Sequence, residues 1–89
     1  MKLTEEELKE LNEFAELLYT DEELAQIFEV RPVELKAEMM KEDSIIARTI
    51  HAARFRKKSQ LRKANIQMAI NGSTPAMNQV NDLLKKLES

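Results

Sequence analysis

Between Arg48 and Lys63 the sequence reads RTIHAARFRKKSQLRK, a run with seven of the chain's fourteen basic residues and no acid. The chemistry open to such a run is neutralisation of a polyanion. Lysine and arginine meet phosphate oxygens, release counterions and bind without base specificity. Other side chains with reactive potential are sparse. His51 is the single histidine, and no second ligand stands near it at a metal-site spacing, so it reads as one more residue of the basic surface. Glu22 and Glu23 are adjacent acids, but in a segment this acidic their spacing carries no information. Serines and threonines fall mainly at helix starts, where capping explains them. One glycine cannot build a phosphate-binding loop. The expectation is a protein that is not an enzyme, with no catalytic residue, metal, cofactor or small-molecule substrate.

The basic run sits in a chain that is slightly acidic as a whole, with a formal net charge of -2. Met1 to Asp43 holds five basic and fourteen acidic residues, whereas Ser44 to Ser89 holds nine basic and two acidic. That separation points to a polyanionic partner, or to one half of the chain binding the other within or between subunits. At 89 residues, only about 60–65% of the unfolded chain's surface can be buried, so self-association would add stability. The absence of cysteine excludes disulfides and thiolate metal sites. MKLTEEELKE has no long apolar run, so the expectation is a soluble, cytoplasmic chain without membrane contact.

Leu, Glu, Lys and Ala dominate, with one glycine and two prolines, which predicts an all-α protein. Thr4 with Glu7 has the form of a capping box opening a first helix. Leu8, Leu11, Ala15 and Leu18 should face the core, with Phe14 beside them, and the helix should run to about Tyr19. Thr20 with Glu23 forms a second capping box, for a short helix to about Phe28. Pro32 suits the first turn of a third helix, reaching about Lys41. Asp43 or Ser44 can cap a long helix that continues to about Asn71 and stops at Gly72. Ser73 or Thr74 caps a last helix with Val80, Leu83, Leu84 and Leu87 as its apolar stripe. These elements divide into an acidic unit over residues 1–43 and a basic unit over 44–89, packed together as one domain.

TDEELAQIFEVRPVELKAEM, Thr20 to Met39, has the spacing of a helix-turn-helix, so residues 1–43 read as a tri-helical unit of that kind. Leu24 and Phe28 turn inward, Ala25 allows close helix crossing, Val30 plugs the turn and Leu35 anchors the second helix. Glu29 occupies the turn position usually held by glycine and must tolerate or avoid a left-handed backbone. The second helix of such a unit can lie in a DNA major groove. Its exposed candidates are Arg31, Glu34, Lys36, Ala37, Glu38 and Lys41, of which the two carboxylates would repel phosphate.

At 100° per residue the long helix sorts into stripes. Ile46, Ile50, Ala53, Leu61, Ala64 and Met68 form one, interrupted only by Lys57, which is core or subunit interface. Arg48, His51, Phe55, Lys58 and Arg62 form a cationic ridge, with Arg54 between the two stripes. Arg56 and Lys63 point to the remaining side. Phe55 reads as a packing residue. The ridge either binds phosphates or meets the acidic face of the first helix, in the same subunit or the next.

LTEEELKELNEFAELLYTDEELAQIFEV and RKANIQMAINGSTPAMNQVNDLL together resemble the small terminase-like, DNA-packaging proteins of tailed bacteriophages. The resemblance rests on a T-x-E-E-[IL]-A helix-turn-helix at Thr20–Ala25, a long helix, and the signature Leu61-Arg62-Lys63, Ala69, Gly72 and Ser73 before a short amphipathic helix. It implies a viral protein in the host cytoplasm that binds double-stranded DNA, forms a homo-oligomer (often a ring), and delivers DNA to the large terminase subunit. By position, Arg31 to Lys41 would face DNA and Ile45 to Ile70 would oligomerise. On this reading Arg31 and Lys36 approach the groove, while Arg48, Arg54, Lys58, Arg62 and Lys63 contact phosphates. The oligomer interface would use Ile46, Ile50, Leu61, Met68, Val80 and Leu84. The alternatives are a helical adaptor that binds only proteins, and a helix-turn-helix transcriptional regulator.

Overall fold

The computed structural model describes residues 1–88 and is all-helical over them: α1 (Glu5–Glu16), α2 (Asp21–Ile27), α3 (Pro32–Met39), α4 (Ile45–Ile70) and α5 (Thr74–Glu88). Both expected capping boxes form. Glu7 N donates to Thr4 Oγ1 at 3.1 Å while Thr4 N donates to Glu7 Oε1 at 3.0 Å. Thr20 and Glu23 repeat the reciprocal pair at the start of α2. Each box satisfies two backbone groups that a helix start otherwise leaves open.

The chain divides into two compact units within α4, Met1–Lys57 and Lys58–Ser89, rather than at the expected boundary after Asp43. The reason is the core of the first unit. Leu11 and Ala15 from α1, Leu24 and Ala25 from α2, Leu35 from α3, and Ile46, Ile50 and Ala53 from α4 form one buried cluster. The opening turns of α4 therefore belong to the helix-turn-helix unit as its fourth wall. Phe14, Tyr19, Phe28, Val30 and Met39 are partly buried against that cluster. Phe14 lies edge-on to Tyr19 and to Phe28, with ring centroids 5.9 and 6.2 Å apart, an arrangement in which ring edge meets ring face.

The turns that separate the short helices are left-handed without glycine. After α2, Glu29 takes φ 56°. Val30 N then donates to Ala25 O at 3.0 Å, and Glu29 N to Gln26 O at 3.3 Å. That is a Schellman closure, and it brings Val30 back onto the core. The left-handed backbone costs a non-glycine residue about 1–2 kcal/mol, which the burial of Val30 offsets. After α1 the left-handed residue is Leu18, φ 64°, whose N donates to Ala15 O at 3.0 Å. Helix α1 thus ends at Glu16, short of the expected Tyr19, and Leu18 is exposed instead of facing the core.

Glu38 also departs from expectation. Set among the exposed candidates of α3, it is in fact buried. Its Oε1 accepts from Ser44 Oγ at 2.7 Å and its Oε2 from Lys41 Nζ at 3.0 Å, with the Met1 amine 3.8 Å away. Ser44 Oγ in turn accepts from Ala47 N at 3.1 Å, so one hydroxyl caps α4 and ties it to α3. Burial of a carboxylate is tolerated because every partner here is a donor.

In the second unit, α4 ends on Gly72 (φ 98°), with Ser73 N donating to Met68 O and Gly72 N to Ala69 O, both at 3.0 Å. Ser73 then opens α5, its Oγ accepting a long 3.5 Å bond from Ala76 N. Ala76 is the one buried residue among those described in this unit. Leu84 and Leu87, expected on the inward stripe of α5, are exposed, while Val80 and Leu83 are half-buried.

The Ser44 hydroxyl, and after it Lys41, hold the Glu38 carboxyl below its ordinary range. A folded value below the unfolded one means stability that is complete above the ordinary carboxylate range and drains away as pH falls through it towards the lower folded value. Urea midpoints measured from neutral to acidic pH should fall along that course. Glu38→Gln should lower the neutral-pH midpoint and flatten the acid slope; an unaltered slope would show that Glu38 does not carry it.

Candidate nucleic-acid interface

Of the residues expected on DNA, Arg31 and Lys36 lie at the helix-turn-helix. Arg31 is the N-cap of α3, and its Nε donates to Glu34 Oε1 at 3.0 Å on the exposed surface. Lys36 Nζ stands 3.8 Å from Glu22 Oε1, both side chains well exposed. Exposed pairs of this sort contribute at most about 1 kcal/mol, so phosphate can compete for either cation. The burial of Glu38 leaves Glu34 as the one acid on the outer side of α3. Val33, Ala37 and Met40 accompany Lys36 there at i, i+3, i+4 and i+7 spacing, with Val33 73% and Met40 85% exposed. Neither Val33 nor Met40 was among the residues expected on this surface, although the inward placement of Leu35 assigns both to the opposite side.

The basic run of α4 splits into two populations. Arg54, expected on phosphate, is instead committed inside the first unit. Its Nη2 donates to Asp21 Oδ1 at 2.8 Å and to the Tyr19 carbonyl at 3.0 Å, leaving the side chain 29% exposed. The cause is position: Arg54 follows the buried Ala53 and faces the start of α2, where Asp21 and a free carbonyl both need a donor. Arg56 is held likewise. Its Nε donates to Glu16 Oε1 at 3.1 Å, and its Nη2 bonds Asn12. These are the hydrogen bonds and ion pairs that join the basic run to the acidic helices among the described residues of the first unit. Glu5, Glu6, Glu10 and Glu13 make no ion pair among the described residues.

The second population has no such partner. Arg48 and His51 are exposed and Lys57 is half-buried in the first unit; Lys58, Arg62 and Lys63 are exposed in the second. None of the six forms an ion pair among the described residues. Phe55, expected to pack, is 68% exposed on the same side of α4 as Arg48 and His51. Of the residues expected to join subunits, Ile46 and Ile50 are not available: they are 2% and 0% exposed, filling the protein's own core. Leu61, Met68 and Leu84 are exposed and Val80 is half-buried in the second unit. No helix among the described residues is long and apolar enough to cross a membrane.

No protein-family model, curated protein or solved structure matches this chain. The chemistry of the surface therefore rests on its own geometry. It offers cations without counter-charges on one long helix, and a helix-turn-helix whose outer side mixes cations with apolar groups.

The division of the basic run is measurable. Arg54→Met keeps the aliphatic stem and removes the charge-assisted bonds to Asp21 and Tyr19, and should lower unfolding free energy by about 1–2 kcal/mol. Arg62→Met removes an exposed cation and should stay within about 0.5 kcal/mol of the parent. Equal effects in urea titrations would contradict the division.

Proposed function

We propose that the protein binds double-stranded DNA through phosphate contacts and self-associates, acting as a small terminase-like packaging subunit that presents phage DNA to its motor. The observation that carries DNA binding is that each unit holds cations without an acidic partner among the described residues, Arg48 and Lys57 in the first and Lys58, Arg62 and Lys63 in the second. Holding uncompensated like charges on neighbouring turns costs free energy, and a bound polyanion removes that cost while releasing its own counterions. Arg31 and Lys36 would add contacts from α3, where Val33 and Ala37 offer apolar surface to base edges. The packaging role itself is supported by the resemblance of Thr20–Ala25 and Leu61–Ser73 to small terminases.

Self-association is supported by the second unit. Leu61, Ile66, Met68, Ile70, Leu84 and Leu87 are all exposed there. Two helices with one buried residue do not stabilise themselves in water, and apolar surface left open in this way marks an interaction site. The same observation favours the second reading, a helical adaptor that binds proteins and leaves DNA alone.

Fluorescence anisotropy with a random-sequence duplex, repeated over a salt series, separates the two. The DNA-binding reading expects affinity to fall linearly on a log–log plot against salt. Lys58→Glu combined with Arg62→Glu should weaken binding and flatten that slope by about 0.9 for each phosphate that is no longer neutralised. A stable oligomer by light scattering, with no salt-sensitive affinity for any duplex, would leave only the adaptor.

A further inference from the structure

Besides the imidazole of His51 the chain has four aromatic rings, and three of them lie against the core, Phe14 edge-on to both Tyr19 and Phe28. The fourth is placed differently. Phe55 is 68% exposed on the first unit's stretch of α4, a helix without a single acid. Arg48 and His51 precede it at i−7 and i−4, on the same side of the helix. Both are exposed, and neither has a charged partner among the described residues. A phenyl ring left in water within a cationic surface gains nothing from phosphate, which has no apolar face to offer it.

We propose that Phe55, assisted by His51, is a stacking platform for a nucleobase, and that this surface prefers DNA with unpaired or readily unstacked bases over uniform B-form duplex. This rests on the DNA-binding reading above and names the form of DNA it selects. Charge complementarity chooses the occupant. A protein surface covering Phe55 would have to bring carboxylates to Arg48, whereas a nucleic acid supplies phosphate for the cation and a π-face for the ring at neighbouring positions. Aromatic stacking of this kind accepts any base, because every base has such a face. A duplex supplies the same contact only where a step opens and the ring enters as a wedge.

The test uses the full chain and three probes of one sequence: a single strand, the perfect duplex, and the duplex with one unpaired 2-aminopurine. The wild type should bind the first and third more tightly than the second at equal salt, and the 2-aminopurine emission should change on binding. Phe55→Ala should weaken those two complexes by about 5- to 150-fold and abolish the emission change. Its salt slope should remain that of the wild type, since every phosphate-binding cation is still in place. Phe55→Leu, which keeps apolar bulk without a π-face, should resemble Phe55→Ala. Unchanged affinity in both variants would overturn the proposal while leaving phosphate binding intact, and so would a fall in oligomer mass without loss of DNA affinity, which would make Phe55 a subunit contact. If the wild type bound none of the three probes, the DNA-binding reading would fail with it.

Discussion

Helix α4 has to satisfy two demands at once. Its opening turns supply Ile46, Ile50 and Ala53 to a core built on three short helices, and the same stretch begins a run of cations that no acid of the helix offsets. The placement of Arg54 and Arg56 follows from that conflict. A guanidinium beside the buried seam cannot stay in bulk water, so Arg54 is folded onto Asp21 and the Tyr19 carbonyl. Arg56, more exposed, reaches Glu16. The remaining cations of the run, Arg48 and Lys57 in the first unit and Lys58, Arg62 and Lys63 in the second, form no ion pair among the described residues.

The short helices depend on local closures rather than length. Segments of seven and eight residues, α2 and α3, are too brief to persist alone in water. A capping box starts α2, a Schellman turn at Glu29 ends it, and burial of Leu24, Ala25 and Leu35 holds the pair together. The small side chains of Ala15, Ala25 and Ala53, all fully buried, permit close approach of the helices that carry them. Ser44 and Glu38 then fix the passage from α3 into α4 by a hydroxyl that donates to the carboxylate and accepts from the Ala47 amide. The second unit has no equivalent framework among its described residues: Ala76 alone is buried, and Leu61, Met68, Leu84 and Leu87 are exposed.

The features written in local sequence were legible. Both capping boxes, Pro32 at the head of α3, the Gly72 stop and the inward set Leu11, Ala15, Leu24, Ala25 and Leu35 follow from spacing alone, and so does the all-helical class. What escaped depended on contacts distant in sequence. Nothing near Arg54 reveals that Asp21 will stand 2.8 Å from it; Glu38 differs, since two of its donors, Lys41 and Ser44, are near in sequence and only the Met1 amine is distant. Helical period placed Phe55 on the cationic ridge but could not show whether a neighbouring element would cover it. Leu18 misled for a different reason: apolar spacing continued past the point where the backbone had already turned left-handed.

The proposed function turns on whether the six side chains of the basic run that form no ion pair among the described residues meet negative charge on DNA. Nitrogen-edited NMR of the labelled protein, titrated with a short random duplex at low salt, reports this residue by residue. Shifts concentrated at Arg48, His51, Lys57, Lys58, Arg62 and Lys63, with the Arg54 guanidinium signal unmoved, are the expected pattern. A spectrum that stays unchanged on saturation with DNA, or one whose changes centre on Arg54 and the acidic residues of α1, would contradict it.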